Sequence, residues 1–193
     1  MPAVRFPITG RPEADALLAD NPFALLMGML LDQQVPMEWA FAGPLTLRDR
    51  LGGELDASTV AACSEDDLVE LFVEKPAMHR YPAAMAKRVH ALAQRIVEDY
   101  DGDTASIWAT ASTGGELRRR LRALPGFGDE KSKIFTALLG KRFGVRPDGW
   151  RAAAGPFGDD TPRSAADVDS PEALAAVRAY KQLRKAEGKG KAD

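Results

Sequence analysis

Apolar residues recur at spacings of three and four along most of the chain, and that period predicts helices from end to end. Phe23, Leu26, Met27, Leu30 and Leu31 form a stripe broad enough to be buried, opened by Asn21 as a cap and Pro22 in the first turn. This helix is expected to end near Gln33 and Gln34, because Pro36 restricts Val35 and starts a new segment through Trp39, Phe41 and Leu45. Ser64 caps a further helix whose acidic first turn, Glu65, Asp66 and Asp67, suits the helix dipole and whose inner face is Leu68, Leu71 and Phe72. Pro76 and Pro82 bracket a loop that leads into a long helix. Met85, Val89, Leu92, Ile96 and Val97 form its inner side, Lys87, Arg88 and Arg95 its outer side, and an acidic break at Asp99 to Asp103 follows. The runs at Val4 to Ile8 and Val69 to Val73 are too short to read as strands. Beyond Trp150 the pattern gives a short helix through Ala152, Ala153 and Ala154, a loop rich in Gly, Pro and Asp over residues 155–169, and a last helix from Pro171 through Leu174, Val177 and Leu183. Glu187 to Asp193 reads as a polar tail, and Lys181, Arg184, Lys185, Lys189 and Lys191 as solvated cations, with contact to DNA phosphates as the alternative.

The most informative stretch is Glu116 to Asp148. Leu117, Leu121 and Leu124 give a short helix with Arg118, Arg119, Arg120 and Arg122 on its other faces. Leu124-Pro125-Gly126-Phe127-Gly128 breaks it, since proline removes a donor and the two glycines permit a tight turn. A second helix then carries Ile134, Phe135, Leu138 and Leu139, with Asp129 expected as its cap and Gly140 and Gly144 as its close. With no side chain on Gly126 and Gly128, a phosphate can approach the backbone at the positive end of the second helix. Between Glu116 and Arg146 there are nine Lys or Arg against three Asp or Glu, in a chain of net charge -2. A basic face on a slightly acidic protein fits a localised nucleic-acid footprint, with Gly126, Phe127, Gly128, Lys131 and Lys133 as the phosphate-binding candidates. An ordinary helical turn with solvated arginines fits LPGFG equally well when that motif is taken alone.

Composition narrows the class. The chain has 193 residues, 45% of them hydrophobic and 28% charged, as in globular proteins. No apolar run reaches the ~20 residues of a membrane span, and the first residues lack a signal-peptide core. The single cysteine, Cys63, excludes an intramolecular disulfide and points to a reducing, cytoplasmic setting. His79 and His90 have no partner at ligand spacing, so both are assigned structural roles and no metal site is expected.

Taken together, these residues resemble the helix-hairpin-helix superfamily of base-excision DNA glycosylases (HhH-GPD), of endonuclease III-like type. Leu124 to Gly128 is similar to that superfamily's hairpin signature, and Asp148 lies 24 residues after Leu124, near the spacing of its catalytic aspartate. Leu30-Leu31-Asp32-Gln33-Gln34 resembles the upstream helix end whose glutamine fills the space left by a displaced base. The likeness spans residues 21–151. It implies Asp148 as the catalytic carboxylate and Gln34 as a wedge, with Trp39, Phe41 and Trp150 as stacking candidates for an extruded base. A cap for the following helix is the competing role for Asp148, and a place in the core for the aromatics. Two departures matter. One cysteine cannot hold the iron-sulfur cluster of some members, so no cofactor is expected beyond a monovalent cation at the hairpin. Where bifunctional members carry a nucleophilic lysine this chain has Glu130, and Lys131 is about 100 degrees further round the helix, so water is the expected nucleophile.

The expected architecture is all-α and two-lobed, like the glycosylases. A central lobe over residues 22–144 carries the hairpin at 116–140, and residues 1–21 with 145–193 form the second. The function implied by the resemblance is a monofunctional DNA N-glycosylase acting as a monomer on double-stranded DNA, with no membrane association. A non-catalytic hairpin protein that binds or senses damaged DNA is the alternative, and a helical protein-interaction domain with no DNA role the third.

Overall fold

The computed structural model describes residues 4–188, and within them the chain is all-helical. The first three residues, and Lys189 and Lys191 of the polar tail, lie outside the described residues. Eleven α-helices follow one another, with a single isolated bridge between Thr113 and Asp148 as the only extended pairing among the described residues.

The centre is α2 (Pro22–Leu31), whose ten residues include no charge and nine of which are buried. The Asn21 side chain caps it by accepting from Ala24 N–H. Helices α1 (Pro12–Asp20) and α3 (Met37–Arg50) pack against it, and Gly28 of α2 lies against the Phe41 ring so closely that a methyl group would overlap it. Phe41 is therefore core and not a stacking platform. Helices α4 (Ala57–Ala62) and α5 (Glu65–Val73) both lie on the long α6 (Pro82–Tyr100). Ser64 caps α5 through Asp67 N–H as its sequence predicts. After the one-turn α7 (Ser106–Ala109) come the two hairpin helices, α8 (Gly114–Arg122) and α9 (Asp129–Arg142), then α10 (Trp150–Ala153) and α11 (Pro171–Ala186). A contiguous buried cluster runs from Phe6 to Val177.

Several expectations are corrected. The helix at the glutamines ends at Leu31, two residues early, because the chain turns there and Gln34 takes a left-handed φ of 57°. Val97 and Leu183, placed on inner faces by spacing, are exposed; at the end of α6 it is Ile96, and not its neighbour Val97, that is buried in the core. Gly140 does not close α9. It lies inside the helix because the Trp150 ring packs on it, at a distance where a methyl group would sit 2.4 Å from a ring carbon. The segment over 155–169 is not a loose loop: Phe157, Ala165, Ala166 and Val168 are buried, and two 3₁₀ turns, Gly155–Gly158 and Ala165–Asp167, order it.

A buried ion pair fixes this segment to α9. Lys141 Nζ lies 2.5 Å from Asp167 Oδ1, the two side chains being 6% and 7% exposed, and Asp167 also accepts from the backbone N–H groups of Arg163 and Ser164. Such a pair must satisfy its charges internally, because removal from water costs several kcal/mol per ion.

Candidate nucleic-acid interface

The hairpin forms because Leu117 and Leu121 of the first helix, Leu124 just after it, and Ile134, Phe135 and Leu138 of the second are all buried in the core. Gly126 makes the turn with a φ of 82°, and a methyl group there would come within 3.0 Å of Leu30. Glycine is therefore required twice over, for its backbone angle and for the contact with α2. Phe127 is buried, edge-on to Phe135, and so anchors the turn from inside.

Gly128 is the residue that caps α9, without any side-chain hydrogen bond, and a methyl group on it would meet nothing within 4 Å. Asp129, expected in that role, is the first helical residue. Its carboxylate instead gathers Lys133 at 2.7 Å, Arg122 at 3.7 Å and Arg118, which ties the two hairpin helices together. The hydrogen bond from Lys133, then that from Arg118, hold the Asp129 carboxyl down at about 2. The basic surplus of this stretch is thus partly neutralised. Arg120 pairs with Glu116 at 2.6 Å, Arg142 with Asp169 at 3.1 Å, and Lys141 is buried with Asp167. Lys133, one of the phosphate candidates, is held at Asp129.

A cavity of about 410 Å³ lies where the end of α2 meets the start of α9. Met29, Asp32, Gln33, Gly126, Gly128 and Ile134 line it, together with Asp129, Glu130 and Lys131. Glu130 and Lys131 both border the cavity, at the first turn of α9. Lys131 Nζ donates to Leu30 O at 2.7 Å, bridging α9 to the last turn of α2. Gln33, and not Gln34, borders the cavity, with its Nε2 donating to Leu30 O and its Oε1 accepting from Arg88. Gln34 is exposed at the left-handed turn.

That turn is positioned by His79, whose importance the sequence did not signal. His79 is 1% exposed; its Nδ1 accepts from Tyr81 N–H, so the hydrogen is on Nε2, which lies 3.1 Å from Leu31 O and 3.0 Å from Gln33 O. Burial pushes the His79 pKa down, which favours this neutral form. His90 has a similar structural role, with Nε2 3.0 Å from Cys63 O.

Asp148 lies on the loop after α9, exposed, with no hydrogen bond or ion pair to its carboxylate among the described residues. Its backbone carbonyl accepts from Gly114 N–H at 2.8 Å, pinning this loop to the start of α8. Gly149, with a φ of 73°, caps α10 and no side chain does, so the capping role considered for Asp148 does not hold. Asp148 is not among the residues lining the cavity. Trp150 is 9% exposed, with the Arg151 guanidinium 4.8 Å over its ring, and Trp39 is 42% exposed. No group of three or more His, Cys, Asp or Glu among the described residues is arranged to hold a metal ion, and no single helix there is long and apolar enough to cross a membrane.

No protein-family model and no curated protein matches the chain, so the glycosylase resemblance rests on the hairpin, the aspartate spacing and the glutamine turn alone.

Proposed function

We propose that this protein is a monofunctional DNA N-glycosylase that grips duplex DNA by its hairpin. The observation that carries the reading is the pairing of an open, side-chain-free cap at Gly128 with a cavity of about 410 Å³ directly beside it. A DNA phosphate docks at the N-terminus of α9, whose cap Gly128 offers no side chain, where backbone donors and the helix dipole favour an anion. An extruded base enters the cavity against Met29 and Ile134. In the two-lobed arrangement of the superfamily, the sugar then comes to the Asp148 carboxylate.

The chemistry asks little else of the protein. As the C1′–N bond breaks, its electron pair leaves with the base and positive charge builds on the sugar, which the Asp148 carboxylate stabilises. Water adds to C1′ and gives up a proton, leaving an abasic site. Lys131 stays out of this step, because its amine donates to Leu30 O and would have to leave that carbonyl and lose a proton to attack carbon. A second reading, a hairpin protein that binds damaged DNA without cutting it, is favoured by one observation: Asp148 does not line the cavity.

DNA binding by either reading depends on Gly128. Gly128→Val should still fold, because φ is -88° and a Cβ there meets nothing within 4 Å, with a melting temperature lowered by only a few degrees because valine is a poorer N-cap than glycine. Its affinity for duplex DNA should drop, and the wild-type affinity should fall steeply across a salt series as counterions are released. Equal binding by both proteins at every salt concentration removes the phosphate clamp.

A further inference from the structure

Asp129 stands where the proposed phosphate docks, and its charge opposes that ligand. It is the first residue of α9, next to the Gly128 cap, and it lines the cavity. Oδ1 of its carboxylate meets Arg118 and, at 3.7 Å, Arg122 of α8, while Oδ2 meets Lys133 of α9 at 2.7 Å. None of these three cations pairs with another carboxylate among the described residues, so one anion holds them all. Held down at about 2, first by the hydrogen bond from Lys133, the Asp129 carboxyl is ionised at neutral pH, where a competing anion and not acid releases its partners.

The hairpin does not rest on this cluster. Leu117, Leu121, Ile134 and Phe135 are buried, Phe127 anchors the turn on Phe135, and Gly126 supplies its backbone angle. The Asp129 and Arg122 side chains are 46% and 62% exposed, so a competing anion reaches them, and exposed pairs of this kind contribute little to stability. We infer, on the reading that the hairpin grips duplex DNA, that Asp129 is an internal competitor of the DNA backbone: it occupies Arg118, Arg122 and Lys133 in the free protein and yields them to a phosphate on binding.

The exchange lowers affinity for a duplex in two ways. A phosphate must displace the carboxylate from its three partners, and the displaced carboxylate then remains at the same helix end as a like charge. Neither cost depends on base sequence, because phosphates carry none. Asp129 is thus a repulsive element against binding by the backbone alone, which an extruded base offsets through its own contacts in the cavity. It restrains retention on undamaged duplex and takes no part in bond breaking.

The test is binding of an undamaged duplex by the wild type, Asp129→Asn and Asp129→Glu across a salt series, beside a thermal melt of each protein. Asparagine keeps the shape and removes the charge; glutamate keeps the charge. The Asn variant should bind about tenfold or more tighter than the wild type at low salt, with a slope of log affinity against log salt steeper by about one. The Glu variant should stay within about threefold of the wild type. An Asn variant that binds no tighter makes Asp129 a tether and overturns the inference, while Gly128-dependent binding by the wild type leaves the DNA reading standing. Equal gains in both variants overturn it as well, because charge is then not the cause. Binding by the Asn variant where the wild type shows none supports the inference; no binding by either overturns it together with the DNA reading. A crystal structure of the wild type on a duplex is independent of any variant: Arg118 and Lys133 should have moved from Asp129 to phosphate oxygens, and their retention on Asp129 overturns the exchange.

Discussion

Asp148→Asn should lose base excision by roughly a hundredfold or more while leaving stability and duplex affinity at wild-type values. The structure makes this substitution unusually clean. The side chain is exposed and unpartnered among the described residues, and it does not cap α10, so asparagine disturbs no fold contact. What holds the loop is the backbone, through Asp148 O to Gly114 N–H, which asparagine retains. Only the negative charge is lost, and a fixed charge beside a developing sugar cation is worth about 3–4 kcal/mol when preorganised. The measurement is single-turnover excision beside a thermal melt and a binding titration of each protein. Equal excision by the two proteins would remove Asp148 from the chemistry and move the search to the carboxylates of the cavity.

The largest expected loss of stability comes from the buried pair that ties α9 to the C-terminal segment. Asp167→Ala leaves Lys141 charged and covered, and it also strips the acceptor from the Arg163 and Ser164 amides. Breaking a buried pair by removing one partner costs about 3–5 kcal/mol, which for a chain of this size lowers the melting temperature by roughly 6–20 °C. Lys141→Met should cost less, because the remaining carboxylate keeps its two backbone donors and the methionine fills the space of the lysine stem. Thermal and denaturant melts of both variants check the order. A change below about 1 kcal/mol in Asp167→Ala would mean that water reaches the pair.

Helices with strong periodicity and local caps were legible in the sequence. Asn21 and Ser64 each act as predicted because a cap is a contact between residues three apart. The turn at Gly126 was legible for the same reason. What escaped was set by neighbours distant in the chain. Spacing put Gly140 at a helix end, but the Trp150 ring packs on it within the helix; spacing put Val97 and Leu183 inside, but both are exposed, and the core takes Ile96 in place of Val97. Helix α1 was unannounced because its nine residues are short of a repeated stripe, and only Ala14 and Leu18 are buried. The cavity was invisible for the plainest reason: it is made by Asp32 and Gln33 on one side and the start of α9 on the other, segments joined by Lys131 reaching Leu30 across 101 positions. His79 gave no signal, since its partners are two backbone carbonyls some fifty residues upstream, which carry no residue type to recognise.

Base excision with water as the nucleophile is the reaction proposed for this chain. It is tested most directly by incubating the wild-type protein under single-turnover conditions with end-labelled duplexes bearing alkylated, deaminated, oxidised or mismatched bases, and resolving the products before and after alkali, with a parallel borohydride-trapping arm. The expected result is release of a base from at least one duplex, strand breakage only after alkali, and no trapped protein-DNA adduct. Absence of release from every duplex despite Gly128-dependent binding, or a trapped adduct that disappears in Lys131→Ala, would contradict it.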